Sequence, residues 1–235
     1  MKTVLLLTCE HASNKIPKYY QYLFSNQKTL LASHFGYDIG ASSVLNYLAN
    51  TLPCYAKKAH YSRQLIDLNR SLYHQNLFSS ITKTLAKSQQ QKIISEYYKP
   101  YRKFIENYID RKIKLNQCIL HISIHSFAPY LNEQKRNNDI GLLYDPSRKR
   151  EKQFCKQFKI VLAKLNSALK VRYNYPYRGR ADGLITHLRR TFPLNRYMGI
   201  ELEINQKHFD NSNQLKLKKA ISETLKKLLR DFNSR

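Results

Sequence analysis

Ionisable side chains follow three apolar runs that have the pattern of buried strands. Glu10 and His11 come directly after the run TVLLLTC, and His125 follows the run CILHISI. Glu203 lies close to the end of a third run, GIELEI at residues 199–204. Because the carboxyl ends of parallel strands meet at one edge of an α/β sheet, these side chains can converge there. Two histidines with one or two carboxylates suit a catalytic zinc ion, which takes three protein ligands and leaves a position for water.

Each histidine also has a structural alternative. A single histidine after a strand is more often a hydrogen-bonded polar residue than a metal ligand, and spacing alone does not decide between the two. Two histidines at equivalent strand ends favour the metal site. His121 alternates with His125 on the same face of the strand, where it could support a ligand from behind. The histidines expected to be structural or exposed are His34, His60, His74, His121, His187 and His208.

Two further segments are rich in polar residues. In YSRQLIDLNRSLYH, residues 61–74, Arg63 and Arg70 could form a fork for a substrate carboxylate, since guanidinium binds carboxylate through parallel hydrogen bonds. The alternative is that Asp67 simply pairs with one of these arginines across a loop. Residues 173–190 begin as a Tyr-, Pro- and Gly-rich loop before a helix. A loop of that composition usually lines a site or connects elements at the surface.

The elements that must position these residues alternate along the chain. Strand patterns cover residues 4–7, 54–58, 118–124, 140–144 and 199–204, and helical patterns cover 40–52, 89–113, 149–168 and 214–230. Pro100 lies inside the second helical pattern, so a kink or a break is expected there. The alternation predicts an α/β fold, a three-layer α/β/α sandwich with a mostly parallel mixed sheet. No repeat or linker interrupts it, so residues 1–235 are expected to form a single domain.

Composition limits the class of protein. Of 235 residues, 42% are hydrophobic and 12% aromatic, which is enough for a globular core and too much for general disorder. Lys and Arg number 41 against 16 Asp and Glu, which gives a net charge of +25. This excess can indicate nucleic acid, an anionic membrane, a generally Lys-rich surface, or a field that attracts a small anionic substrate. The basic residues are scattered over the whole length, which argues against a dedicated nucleic-acid segment.

The cysteines and the apolar runs bear on the cellular location. Cys9, Cys54, Cys118 and Cys155 are widely separated and include no C-x-x-C pair, so ordinary thiols in a reducing cytoplasm are expected. The apolar run after Lys2 is too short for a signal peptide, and no other run approaches a membrane-spanning length. A cytoplasmic protein without a membrane partner is therefore expected.

Seven motifs together resemble one enzyme family. They are EHASN-x-IP at 10–17, DIGA at 38–41, SR-x-x-ID-x-NR at 62–70, HISIHSF at 121–127, DIGLLYD at 139–145, N-x-PYRG-x-x-DG at 174–183 and GIELEINQ at 199–206. In this order they resemble the N-formylglutamate amidohydrolase family, from His11 to Asn205. The resemblance implies a zinc-dependent amide hydrolase of the phosphorylase/hydrolase-like type, similar in fold to zinc carboxypeptidases.

The resemblance implies the metal ligands. His11 and His125 are implied as ligands of a single Zn²⁺ ion. Carboxypeptidases supply their second ligand from a His-x-x-Glu motif, but in this chain Asn14 stands three residues after His11. Asp38 of the DIGA motif is the expected third ligand, and Glu10 and Asn14 are alternatives.

The resemblance also implies how a substrate would be bound and cleaved. Glu203 is implied as the general base. Asn69 and Arg70, with Arg63, match the corner at which carboxypeptidases bind a free carboxylate, and Arg178 is expected to add to substrate binding. The expected substrate is a small anionic N-acyl amino acid, most simply N-formylglutamate, which would yield formate and glutamate.

Two alternatives to this enzyme stay open at the level of sequence. A basic nucleic-acid-binding protein would explain the charge and the interleaved tyrosines of YYKPYRKF, but not the histidines and Glu203 at strand ends. A non-catalytic member of the same fold would keep the motifs without turnover. The oligomeric state is also left open.

Overall fold

A computed structural model describes residues 1–209 and 214–234, and this part of the chain contains eight strands. They are β1 (Thr3–Cys9), β2 (Cys54–Lys58), β3 (Cys118–Phe127), β4 (Tyr130–Leu131), β5 (Gln134–Lys135), β6 (Ile140–Leu143), β7 (Val171–Tyr173) and β8 (Tyr197–Asn205). Six strands form one sheet in the order β2-β1-β3-β8-β6-β7, and β4 and β5 form a separate hairpin. Within the large sheet only β6 and β8 pair antiparallel. The predicted mostly parallel mixed sheet is therefore confirmed.

Seven α-helices accompany the strands in the described residues. They are α1 (Lys28–Ala32), α2 (Ala41–Thr51), α3 (Lys87–Ile93), α4 (Lys99–Lys114), α5 (Lys149–Leu165), α6 (Leu184–Thr191) and α7 (Gln214–Asn233). A π-helical segment, Ile94–Tyr98, joins α3 to α4, and Pro100 lies in the first turn of α4. Proline lacks the N–H that continues the hydrogen bonds of an α-helix. The kink or break expected at Pro100 appears as π-helical winding just before it, and the helix continues through this point. None of these helices is long and apolar enough to span a bilayer.

Helices cover both faces of the sheet. On one face, α2, α5 and α7 pack against strand residues that include Leu7 and Ile122. On the other face, α4, α6 and a 3₁₀ helix, Lys18–Phe24, pack near Leu6 and Ile119. Burial on both faces explains why β1 and β3 have continuous apolar runs in the sequence. The architecture is the three-layer α/β/α sandwich that the sequence predicted.

The strand that carries His125 is longer than the sequence indicated. The apolar pattern of residues 118–124 predicts a strand that ends before His125, whereas β3 continues to Phe127. His125 therefore lies within the strand and not after it. The pairing register of β3 with β8 sets His125 opposite Glu203 and Phe127 opposite Asn205. The apolar run ends early because two polar residues, His125 and Ser126, come before the last residue of β3.

A buried ion pair completes the sheet beside β8. The register of β6 covers β8 only from Glu201 to Ile204, so Gly199 has no strand partner on that side. The Gly199 N–H donates to Glu151 at 3.2 Å, and Arg189 Nη2 donates to the Gly199 carbonyl at 2.8 Å. Arg189 Nε and Nη2 also lie 3.0 Å from the two carboxylate oxygens of Glu151. Both side chains are buried, so each compensates the charge of the other.

Replacing Glu151 with alanine should destabilise the protein by about 3–5 kcal/mol, because Arg189 would remain as an uncompensated buried charge. Urea unfolding followed by circular dichroism measures this loss. Lys152→Ala is the control on the same helix, because its side chain is exposed, and it should stay within about 0.5 kcal/mol of the wild type. Equal stability of the two variants would show that the ion pair does not hold this edge of the sheet.

Candidate metal centre and active site

Three buried side chains meet at the carboxyl edge of the sheet. His11 follows β1, His125 lies near the end of β3, and Asp38 precedes α2. The Nδ1 atoms of His11 and His125 lie 3.5 and 2.8 Å from Asp38 Oδ2. Ligand atoms of the three residues all lie within 4.8 Å of one another, and the two ring centroids are 5.1 Å apart. A single cation can therefore contact all three side chains.

The hydrogen bonds of the two histidines orient their rings for a metal. His11 Nδ1 is buried without a hydrogen-bond partner, while its Nε2 lies 2.8 Å from Asp67 Oδ1. His125 Nε2 lies 2.9 Å from Ser123 Oγ and 3.2 Å from Glu10 Oε2. Metal-binding histidines commonly hold a carboxylate at the ring nitrogen that faces away from the metal. Two Nδ1 atoms and a carboxylate thus fit a divalent cation such as Zn²⁺.

The two alternative ligands lie elsewhere. Glu10 lies behind His125, and it accepts hydrogen bonds from Ser123 Oγ at 2.5 Å and from the Tyr101 hydroxyl at 3.0 Å. Burial alone would raise the pKa of Glu10, but its contacts with His125 and Ser123 lower it to about 2. Among the described residues, Asn14 does not line the cavity into which the site opens. The geometry thus favours Asp38 as the third ligand.

Charge pairing inside this buried group shifts the pKa values of its members. Burial would raise the pKa of Asp38, but attraction and hydrogen bonds to His11 and His125 hold that pKa well below its usual range. Burial would lower the pKa of His125, but hydrogen bonds to Asp38 and Glu10 raise it well above the ordinary value. The pKa of His11 is also raised, because the carboxylates of Asp67 and Asp38 outweigh burial and a nearby arginine. Each imidazole is therefore stabilised in its positive form.

Glu203 on β8 adds a free carboxyl group to the same site. Its Oε2 atom is buried without a hydrogen-bond partner. Burial is the main cause that raises the pKa of Glu203 to about 8; His125 opposes the shift, and Asp38 and Glu201 add to it. A carboxyl group with a free oxygen and a pKa near neutrality can take up and return a proton during a reaction.

The site opens into a cavity of about 630 Å³, within the usual size range of small-ligand sites. Its wall includes the His11, Asp38 and His125 triangle together with Glu201 and Glu203. The arginines on the wall are Arg63, Arg70, Arg136 and Arg178. Several guanidinium groups beside a candidate metal centre suit an anionic ligand.

The two arginines expected to form a carboxylate fork differ in their partners. Arg63 Nη2 donates to Asp67 Oδ2 at 2.7 Å, which is the ion pair that the sequence offered as the alternative. Arg70 Nε is 4.0 Å from the same oxygen, and Arg70 Nη1 donates to the Asp182 carbonyl at 3.0 Å. Arg63 is thus engaged by Asp67, whereas Arg70 has the weaker ionic partner. Both arginines line the cavity, and their joint binding of a substrate carboxylate stays a prediction.

The loop of Asn69 is fastened to the loop of Arg178. Asn69 Oδ1 accepts the N–H of Leu184, the first residue of α6, at 2.8 Å. The Ser71 N–H donates to Asp182 Oδ2 at 2.9 Å. Arg178 is exposed at the cavity wall and forms no ion pair with any described residue. Two motifs that lie far apart in sequence therefore share one wall of the cavity.

His121, which was expected to be structural, does not contact the candidate metal ligands. Its ring nitrogens lie 2.8 Å from Thr8 Oγ1 and from the Tyr197 hydroxyl, away from the metal triangle. A strand rises about 3.3 Å per residue, so positions four apart are separated by about 13 Å. Ser123, two positions from His125, is the residue that contacts the ligand. Of the other histidines assigned to structure or surface, His34 lines the cavity.

The sequence carries no signal for several residues that contact the candidate ligands or line the cavity. Asp67 was considered only as a partner for arginine, but it also orients His11. Tyr101 belonged to an amphipathic helical stripe, so its hydroxyl contact with Glu10 had no separate signal. Arg136 precedes the DIGLLYD motif without any pattern that marks it as a cavity residue. These roles depend on contacts between distant segments.

Comparison with known proteins identifies the family. The sequence model of the N-formylglutamate amidohydrolase family matches residues 3–209. The solved structure of the gene product Atu2144 from Agrobacterium tumefaciens is similar, with a TM-score of 0.78 and 23% identity, covering 95% of this chain and 91% of that one. An N-formylglutamate amidohydrolase from Ralstonia eutropha JMP134 has a TM-score of 0.72 and 14% identity, covering 100% of this chain and 96% of that one. No curated protein matches.

The two solved structures support the fold alone, because sequence identities of 23% and 14% to this chain are too low to carry over a function. The family assignment depends on the sequence model, whose match includes every predicted site residue from His11 to Glu203. An amidohydrolase family also supports the enzyme class that the resemblance implied. The chain belongs to the N-formylglutamate amidohydrolase family.

Proposed function

We propose that this protein is a zinc-dependent hydrolase that cleaves the amide bond of an N-formyl or other N-acyl amino acid, most simply N-formylglutamate. The observation that carries this proposal is the buried triangle of His11, Asp38 and His125 beside the free carboxyl group of Glu203. Membership in an amidohydrolase family supports the class of reaction. We further propose that residues 1–235 act as a single domain in the cytoplasm.

The chain's own residues prepare the site for a cation. Zn²⁺ held by His11, Asp38 and His125 would polarise the amide carbonyl and lower the pKa of the attacking water. Asp67 and Glu10 bind the outer nitrogens of the two imidazoles, which fixes the rings with Nδ1 directed inward. Ring orientation of this kind raises the basicity of a histidine ligand.

Glu203 is the proton carrier in this proposal. As a carboxylate it accepts a proton from the attacking water, which adds to the amide carbon. It then returns that proton to the amide nitrogen as the carbon–nitrogen bond breaks, so the products are a carboxylic acid and a free amine. Its raised pKa makes Glu203 a stronger base than an ordinary glutamate, which favours the first step, the transfer of a proton from the attacking water.

Asn69, Arg70 and Arg178 bind the carboxylate of the amino acid in this proposal. Arg70 and Arg178 have weak or no ionic partners among the described residues, so a ligand carboxylate meets little competition. Arg63 is bonded to Asp67, which itself holds His11, and this connects substrate binding to the candidate metal centre. Fixing the carboxylate fixes the distance from the scissile amide to the reacting groups.

Glu203→Gln should leave zinc bound and reduce kcat at least about a hundredfold, because the amide side chain cannot accept a proton. Steady-state hydrolysis of N-formylglutamate with metal analysis of the same samples measures both effects. Glu223→Gln, a change in an exposed side chain on α7, is the matched control and should retain activity. Full activity of Glu203→Gln would remove this residue from the proton-transfer role.

Zinc should bind more tightly as the pH rises from about 6 to about 8, because a metal ligand must be a neutral imidazole. The pKa values of His11 and His125 are raised, so protons compete with zinc more strongly than at ordinary histidines. Titration calorimetry in buffers of different ionisation enthalpy measures both the affinity and the protons released. His125→Ala should abolish binding, and His60→Ala, an exposed histidine, should not. Equal affinity across this pH range would contradict the assignment.

Arg70→Met should raise KM for N-formyl amino acids by roughly 10- to 100-fold, the value of a hydrogen bond to a charged group. The reason is loss of the guanidinium that faces the substrate carboxylate. KM for N-formyl amino acid amides, which lack that carboxylate, should rise much less. Arg190→Met, an exposed change on α6, is the control. An equal rise in KM for the free acids and the amides would show that Arg70 does not bind the substrate carboxylate.

A further inference from the structure

Arg136 is a buried arginine on the cavity wall that has no carboxylate partner among the described residues. Only 7% of the residue is exposed, and no ion pair joins it to any described residue. Within the described part of the chain its one side-chain hydrogen bond runs from Nη1 to the Ala128 carbonyl at 3.4 Å. The guanidinium lies 5.7 Å from the ring centroid of Phe127 and 5.6 Å from that of Tyr177. Burial of a cation without a counter-charge costs free energy, and an anionic ligand would offset that cost.

The backbone holds Arg136 in place before any ligand binds. Arg136 directly follows β5, and its N–H donates to the Pro129 carbonyl at 2.8 Å. Asn205, at the end of β8, donates through Nδ2 to the carbonyls of Arg136 and Asn138 at 3.1 and 2.9 Å. The guanidinium itself lies near the Phe127 and Tyr177 rings, and a side chain restricted by such contacts loses less conformational entropy when it binds a planar oxyanion.

Burial without an acid is not sufficient for a binding site. Arg102 is also buried, stacks on Tyr98 and donates to the Leu68 carbonyl at 3.2 Å. However, Arg102 is absent from the wall of the active-site cavity, whereas Arg136 lines it. Exposure to the cavity is the feature that makes Arg136 available to a ligand.

We propose that Arg136 forms a second anion subsite, which binds a carboxylate on the side chain of the N-acyl amino acid. It lies on the β4–β5 side of the cavity, whereas Asn69 and Arg70 belong to the loop that follows β2. Two anion subsites on different elements can hold the two carboxylates of a dianionic substrate. This inference rests on the proposed function and adds the residue that distinguishes acidic from neutral side chains.

The test compares two isosteric substrates. Arg136→Met should lower kcat/KM for N-formylglutamate about 10- to 100-fold and leave N-formylglutamine nearly unchanged, since only the first offers a side-chain charge. Arg136→Lys should give a smaller loss, because it keeps the charge but not the planar fork. Arg172→Met is the matched control, as Arg172 also stacks on a tyrosine, Tyr175 at 4.2 Å, but does not line the cavity.

The outcomes separate this inference from the proposed function. Suppose that the wild type hydrolyses N-formyl amino acids and that Arg136→Met lowers kcat/KM equally for N-formylglutamate and N-formylglutamine. Arg136 then does not recognise the side chain, and the inference is overturned. If no N-acyl amino acid is cleaved, the proposed function fails, and calorimetric binding of glutamate and glutamine then tests Arg136 alone. Tighter binding of glutamate that disappears in Arg136→Met supports the subsite. Equal binding of both amino acids by the wild type contradicts it.

Discussion

His125 lies between two carboxylates, with Asp38 Oδ2 2.8 Å from one ring nitrogen and Glu10 Oε2 3.2 Å from the other. The same Asp38 faces His11, whose second nitrogen contacts Asp67. Buried charges are tolerated only when they are compensated, so loss of one member leaves its neighbours unpaired at a cost of several kcal/mol. The chain of alternating charges therefore fixes the positions of both imidazoles. Segments distant in sequence are held together because each contributes one member.

The pleat of the sheet separates this charged group from the apolar core. Successive residues of a strand face opposite sides, so β3 can direct Ser123 and His125 to the side of the candidate site while Ile122 and Ile124 face α2, α5 and α7. The parallel register then sets His125 opposite Glu203. A shift of one residue in this register would exchange the polar and apolar faces. The packing of the core and the geometry of the site are thus parts of the same constraint.

The structural elements that could be predicted from the sequence are those whose signal lies within a single segment. Apolar periodicity within a segment identified most of the large-sheet strands and longer helices, because burial of a face depends on neighbouring residues. It failed for β7, Val171–Tyr173, which has only three residues, and at the end of β3, where Ser126 and His125 interrupt the apolar run. Strand order has no such local signal. Tertiary contacts decide it.

The site residues that could be predicted from the sequence are those that lie at or near the ends of apolar strand patterns. His11, His125 and Glu203 were found in that way, whereas Asp38 came only from the family resemblance. The contact of Asp67 with His11 spans two loops, and a single sequence gives no measure of that distance. Arg136 is a stronger example, since an arginine directly after a short hairpin has the appearance of a solvated surface residue. Its burial between two aromatic rings is a property of the folded chain.

The overall charge and the cavity arginines act over different distances. Exposed lysines of α5 and α7 lie on the face of the sheet opposite the site; they are Lys149, Lys152, Lys156, Lys159, Lys164, Lys216, Lys219, Lys226 and Lys227. At physiological ionic strength charges are screened beyond about 8 Å, and packed layers are about 10 Å apart. These lysines therefore contribute little to the potential inside the cavity. In the proposed function, selection of an anionic ligand is therefore assigned to Arg70, Arg136 and Arg178, which line the cavity itself.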